Sequence, residues 1–338
     1  MSAFRWAAVF RGLGKSVGNH LEIYSLGAMI AGLAAGNVMA AGCLRRLIPF
    51  ALFMMLYPAF LDADMGAVLR KAIAGRNLLI LALLFNFIVS PPLMHGLLKW
   101  LSPGLDRHLI MGLLIYSAIP GGGMGPAYTG MIGGNVGLSI AMTTIGLFLS
   151  IAFMPLWTMA LAGTVVPVPA AIVLGHLFLI VVVPAVLAAL SRRWTLRRRG
   201  EKAFERFKAR CRNMTGIGLV LLVFIIFVVN GKFLMDHGRV IVKIWFPAAC
   251  FSFILLSGAT VLAGACRWGY AHSVAFSIGV GAKNTAVSMA LATTVFHDLT
   301  ALAVAIAGTL VQLPFLLLYV KLRPGPARKR SRPDGGAT

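Results

Sequence analysis

Two short stretches hold the residues whose types and spacing can do chemistry. The first is Gly279-Val280-Gly281-Ala282-Lys283-Asn284, which places a lysine among apolar and helix-breaking residues. A charged side chain inside so apolar a segment costs at least about 2.5–3.5 kcal/mol at bilayer depth, so it marks a candidate site. Nine acids occur in the chain, and none lies in the middle of an apolar segment to serve as its counter-ion. Three states satisfy such a lysine. It is protonated and held by backbone carbonyls and Asn side chains, or protonated and open to an anionic solute, or neutral through desolvation and able to exchange a proton. The second stretch is Pro120-Gly121-Gly122-Gly123-Met124-Gly125-Pro126. Polar residues flank both: Asn284, Thr285 and Ser288 after the lysine, Asn135, Ser139, Thr143 and Thr144 after the glycines, and Asn86 five residues before Pro91. Ser139 and Thr143 are four apart and share a helix face. A hydrogen bond back to their own helix is the plain alternative for those two.

These residues must be positioned by membrane helices. The chain has 338 residues, 59% hydrophobic and only 12% charged, with a net charge of +22. A soluble domain is about 25% charged, and a soluble surface could not be covered from this composition. That excludes an ordinary soluble enzyme. The basic excess lies in loops and tails between apolar blocks, so it reports topology and no nucleic acid is expected as a partner. Four scattered cysteines form no CxxC pair, so neither a disulfide framework nor a zinc site is expected. No cofactor and no metal is expected, His95 and His176 included. The basic N-terminus lacks the short apolar region of a signal peptide.

Ten apolar segments lie near 21–42, 48–61, 77–101, 108–132, 134–162, 169–191, 214–235, 240–265, 272–295 and 300–321. Each is read as crossing the bilayer, which takes roughly 20 residues per helix, the second being short. The chain divides into a segment 1–20, a first five-helix repeat 21–191, a basic loop 192–213, a second five-helix repeat 214–322 and a disordered basic tail 323–338. One side carries 23 Lys and Arg residues and the other 7, which puts both termini and the basic loop in the cytoplasm of a plasma or inner membrane. Five spans is an odd number, so the second half enters with opposite orientation: the arithmetic of an inverted repeat. The fold class is therefore an all-α polytopic membrane protein of ten helices, with the fourth and ninth discontinuous. Broken segments at corresponding places in the halves point to a transporter's binding site, and their half-helix N-termini favour an anion. A membrane enzyme lacks a mid-membrane His/Asp/Glu cluster. A membrane sensor lacks a visible signalling domain.

Pro120-Gly121-Gly122, followed by Gly134-Asn135-Val136-Gly137-Leu138-Ser139-Ile140-Ala141-Met142-Thr143-Thr144, resembles a helix 4–5 signature of the bile acid:sodium symporter family. Lys283-Asn284-Thr285-Ala286-Val287-Ser288 is similar to its ninth-helix crossover. Met54–Pro58, Asn86–Pro91 and the stretch from Ala305 to Leu322 are more similar to the related arsenite efflux family. The resemblance covers roughly 45–322. It implies a core domain, a panel domain, crossing discontinuous helices 4 and 9, and alternating access to a solute.

The departures point elsewhere than to a sodium symporter. Where that family has a Ser-Asn pair for one sodium site, this chain has Gly125-Pro126, with Ser139 and Thr143 retained. Gly279 stands for a sodium-binding Glu, Lys283 for a Gln and Asn86 for another Gln. Gly121 stands where the arsenite family has its Cys, and Ala286 is nearest to that family's Glu. The expectation is a secondary active or facilitative transporter of a small organic anion, sodium-independent, with Lys283 in the place of a sodium ion and a proton as the possible coupling ion. The alternatives are a sodium-coupled symporter, an arsenite-type permease or a non-transporting sensor. The expected site residues are Lys283, Asn284, Thr285, Ser139, Thr143, Asn135, Asn86, Gly123, Gly125 and Gly279.

Overall fold

The computed structural model describes residues 20–36, 44–62, 65–122, 124–157, 160, 170–296 and 298–323. The N-terminal segment before His20, Gly123 and the tail after Arg323 lie outside the described residues. The secondary structure described is helical throughout: α1 (Leu21–Ala35), α2 (Ile48–Asp62), α3 (Met65–Ala74), α4 (Arg76–Leu101), α5 (Arg107–Ala118), α6 (Met124–Met131), α7 (Val136–Trp157), α8 (Ala170–Arg199), α9 (Glu201–Val229), α10 (Gly231–Asp236), α11 (Arg239–Ala265), α12 (Tyr270–Gly281), α13 (Thr285–Val295) and α14 (Asp298–Leu322). Five stretches within these are long and apolar enough to cross a bilayer as single helices: Arg76–Leu101, Val136–Met154, Glu201–Val229, Arg239–Ala265 and Asp298–Leu322. The expected fourth segment holds two helices, α5 and α6, and the expected ninth holds α12 and α13.

Two stretches expected as loops are helical. Residues 65–74 form α3, and the basic stretch 192–213 belongs to the ends of α8 and α9. Arg, Lys, Glu and Ala are strong helix formers, so charge alone does not end a helix. Gly200, with φ of 76°, is the one residue between α8 and α9. Glu205 and Lys208 pair one turn apart at 2.9 Å, and the Arg199 guanidinium stacks over Trp194.

α1, α2, α8 and α9 pack mainly on one another, and α4–α7 and α11–α14 make a second group. The second group holds the most deeply buried helices. All residues from Ser273 to Gly281 of α12 are buried, as are Val287 to Ala292 of α13 and the span from Thr300 to Gly308. Helices apolar all round are buried ones. By contrast α8 exposes Phe178, Leu179, Val183 and Val186, an apolar face suited to lipid.

Proline shapes the two helices that flank the breaks. α4 carries a π-helical turn at Phe85–Val89, just before Pro91 and Pro92, and α14 one at Ala307–Gln312, just before Pro314. Proline has no N–H, so the carbonyl four residues earlier loses its helical partner. Pro91 and Pro314 free Phe87 O and Leu310 O in this way. Each is taken by an indole: Trp157 Nε1 donates to Phe87 O at 2.7 Å, and Trp245 Nε1 to Leu310 O at 3.3 Å. In lipid such a carbonyl has no water to turn to. Trp157→Phe keeps the ring and removes the donor, so it should lower stability by about 1–3 kcal/mol. Thermal unfolding in detergent measures this, with Trp245→Phe expected to cost less because its bond is longer.

Candidate functional site

The site is built where the residues between α5 and α6 meet those between α12 and α13. Pro120 and Lys283 form an antiparallel bridge. Gly121 N–H donates to Ala282 O at 3.1 Å, and Asn284 N–H donates to Ile119 O at 3.1 Å. The other edge of Lys283 is taken by one side chain. Its backbone N–H donates to Gln312 Oε1 at 2.7 Å, and Gln312 Nε2 donates to Lys283 O at 3.0 Å. The Tyr116 hydroxyl also donates to Gln312 Oε1, at 2.8 Å. With Ala282 N–H bonded to Ile278 O and Ser288 N–H to Asn284 O, every backbone N–H and C=O of residues 282–284 is paired. Irregular backbone survives at this depth only when so satisfied. Gly121 has φ of 48°, in the left-handed region open to glycine, and a Cβ there would stand 3.0 Å from Thr143 Oγ1.

The Lys283 side chain is 1% exposed. Its Nζ donates to Asn86 Oδ1 at 2.6 Å and to Ser90 Oγ at 2.8 Å, both from α4. The Phe251 ring of α11 lies 5.6 Å from Nζ, within reach of a cation–π contact. Asn86 is fixed in turn, because its Nδ2 donates to Gly279 O at 3.0 Å. Arg45 pairs with Asp298 and Lys208 with Glu205, and among the described residues no carboxylate pairs with Lys283. The π turn of α4 carries Asn86 and that of α14 carries Gln312, so the two proline-induced irregularities grip the same lysine from two sides.

The remaining expected residues separate into near and far. Asn284 caps α13, its Oδ1 accepting from Val287 N–H at 3.1 Å. Thr285 Oγ1 and Ser288 Oγ, on the first turn of α13, are buried without a hydrogen-bond partner among the described residues. Gly279 is beside Lys283 through Asn86, and a Cβ at Gly279 would lie 2.9 Å from Met142 Sδ. The thioether fills the space a longer side chain there would need. Thr143 lies against Gly121 and, more loosely, against Gly125. Ser139 Oγ accepts from Thr129 Oγ1 at 3.1 Å, a pairing within α6 and α7. Asn135 is not brought to the lysine. It caps α7 through Leu138 N–H, its own N–H reaches Ala271 O, and its side chain meets His272. That is the start of α12, about 16 Å along the helix from its other end. Gly123 lies outside the described residues.

Sequence reasoning left Gln312, Ser90, Tyr116 and Met142 out of the site. Gln312 and Ser90 carried a usable signal, since both are polar residues in apolar spans just before prolines. Tyr116 and Met142 carried none, because their roles arise from tertiary packing.

Asn86→Leu leaves one side-chain partner on Nζ and should cost about 1–3 kcal/mol of stability. Adding Lys283→Met to that variant removes the stranded donor and should recover part of the loss, as apolar replacement of a buried polar pair often does. A double-mutant cycle on thermal unfolding reads both steps, and additivity of the two changes would rule out the coupling.

The residues from 49 to 237 match the profile of the Sodium Bile acid symporter family. The chain is 24% identical over 336 residues to the arsenical-resistance protein Acr3 of Alkaliphilus metalliredigens, covering 91% of this chain and 93% of that one. It is 26% identical over 230 residues to the uncharacterized sodium-dependent transporter YocS of Bacillus subtilis, covering 67% and 68%. A 139-residue stretch is 32% identical to the probable sodium/metabolite cotransporter BASS2, chloroplastic, of Oryza sativa subsp. japonica, covering 41% of this chain and 30% of that one. With more than half its length in the family profile and helices apolar enough to span a bilayer, the chain belongs to the bile acid:sodium symporter family and is an integral membrane transporter, not an enzyme.

Proposed function

We propose that this transporter carries a small organic anion by alternating access, without sodium, and that the Lys283 amine occupies the place of a coupling cation. The supporting observation is the set of ligands on Nζ: two oxygens from α4, at 2.6 and 2.8 Å, and no carboxylate among the described residues. Side-chain and backbone oxygens are what an alkali ion takes at such breaks. At Gly279, where the resemblance puts a sodium-binding Glu, the space holds Met142 Sδ, a soft and neutral group with little affinity for a hard cation. An ammonium among those oxygens excludes a second cation by repulsion. The same charge, together with the N-terminal end of α13 and its two unpartnered hydroxyls, favours an anion in the break. The proton on Nζ is then an ion that the site itself can exchange.

The architecture that goes with this reading is ten spans in two inverted halves, with α5/α6 and α12/α13 as the broken fourth and ninth spans crossing at the midplane. Loop charge puts both termini and the α8–α9 turn in the cytoplasm. Two relatives are named for sodium and one for arsenical resistance. Gly121 in place of a Cys argues against a thiolate-based arsenical route here, since a soft ligand is missing from the break.

Thermal unfolding of the purified protein tests this with small carboxylates, sulfonated and bile-type anions and arsenite, each with and without sodium. A ligand of the folded state raises the melting temperature. The expected result is an organic anion that stabilises equally in sodium and choline buffers and loses its effect in Lys283→Gln. Stabilisation that requires sodium would return the chain to the sodium-coupled class.

A further inference from the structure

We infer that the cavity at the other end of α13 from Lys283 is a second binding site, for a small carboxylate that also carries hydroxyl or ammonium donors. The inference rests on the organic-anion reading and narrows its chemical class. The cavity is about 570 Å³, within the range of roughly 300–1,000 Å³ typical of small-molecule sites. Arg45, just before α2, lines it with Ile48 and Pro49 at the start of that helix, and Thr293, Thr294 and Asp298 line it from α13 and α14. It therefore lies on the seam between the two packing groups.

Among the described residues that line this cavity, the polar atoms are sorted by sign. Arg45 Nη2 pairs with Asp298 Oδ2 at 2.5 Å. A guanidinium has five N–H donors in a planar fork, so this contact leaves others to take a carboxylate. Both side chains of the pair are partly exposed, at 51% and 33%, and an ion pair so placed is weak enough to open for a ligand. The two threonines have already spent their protons. Thr293 Oγ1 donates to Met289 O and Ala290 O, and Thr294 Oγ1 donates to Ala290 O at 2.8 Å. Toward the cavity they offer lone pairs only, as does the Asp298 carboxylate. One rim thus donates and the other accepts. A plain fatty carboxylate matches the first and leaves the acceptors without partners. A hydroxy or amino carboxylate matches both. The site is far from the C-terminus along α14, because Asp298 begins that helix and Leu322 ends it. On the loop-charge orientation it faces away from the cytoplasm, where a solute arriving from outside first meets the protein.

Isothermal titration of the purified full-length protein in sodium-free detergent buffer, with glycerate and with propionate, tests the inference. Glycerate should bind more tightly than propionate, and Arg45→Gln should weaken glycerate at least about tenfold. Arg45→Lys keeps the charge, loses the fork and should weaken it by less; it decides the matter if Arg45→Gln unfolds. The same loss on Arg45→Gln should recur in a Lys283→Gln background, where only the heat of this cavity remains. No glycerate binding to the wild type, equal affinity in the Arg45 variants, or propionate binding as tightly as glycerate would each overturn the inference. Glycerate binding lost in Lys283→Gln and untouched by Arg45→Gln would also overturn it, while leaving the organic-anion reading of the break intact.

Discussion

The backbone of Lys283 is the constraint on which the rest of the site depends. Three residues leave the helix between α12 and α13, and a membrane interior supplies no water to their amides. The chain answers with two partners of different kind. One edge is closed by the extended residues between α5 and α6, the other by the amide of Gln312. Gln312 reaches this position because α14 carries a π turn there, and the π turn sits where Pro314 removes a helical bond. A proline two residues along the chain is thus linked to how a lysine is seated between two other helices. Tyr116 secures the amide from α5, so the clamp ties α5, α12, α13 and α14 into one buried unit.

With its backbone fixed on both edges, Lys283 has its side chain left to meet α4. The same device recurs there. Pro91 and Pro92 impose a π turn, and Asn86 within it meets both Nζ and Gly279 O. Burying an amine costs free energy unless its donors are met, and two oxygens at short range meet two of three. The arrangement resembles an ion coordinated by a protein, except that the ion is covalently attached. Gly279 and Met142 complete the substitution from the other side, since a residue without a side chain and a thioether leave no anionic ligand beside Nζ.

The sequence made Lys283 and the two breaks legible because each is an exception against an apolar background. A lone charge and a run of glycines and prolines need no tertiary information to stand out. Asn86 was legible for the same reason. Asn135 was misplaced because a polar residue at a helix start serves as a cap as readily as a ligand, and only the packing of α7 on α12 decides which. Gln312 stood out as a polar residue two before Pro314, but its partner, the backbone of Lys283, is set by packing. The stretches 65–74 and 192–213 were read as loops from their charge, whereas helix formation depends on backbone propensity, and only Gly200 breaks the second. The orientation and the pairing of spans rest on charge counting and symmetry.

A tethered cation has an energetic consequence that a bound ion does not. A sodium ion that enters and leaves with the solute transfers the free energy of its own gradient. An amine fixed to α13 by its backbone and to α4 by its side chain stays with the protein in both directions. On the proposed reading the site keeps the electrostatic benefit of a cation, attraction for an anion and occupancy of the oxygens on α4, and gives up the gradient. Transport is then driven by the solute's own gradient or by the proton that Nζ can release and regain. Asn86 and Ser90, both on α4, take two of the three Nζ protons, so the third leaves without breaking either bond, and any proton step depends on movement of α4 against α12 and α13 opening a path to it. The coupling, if the chain has one, is therefore set by the packing of three helices around one nitrogen.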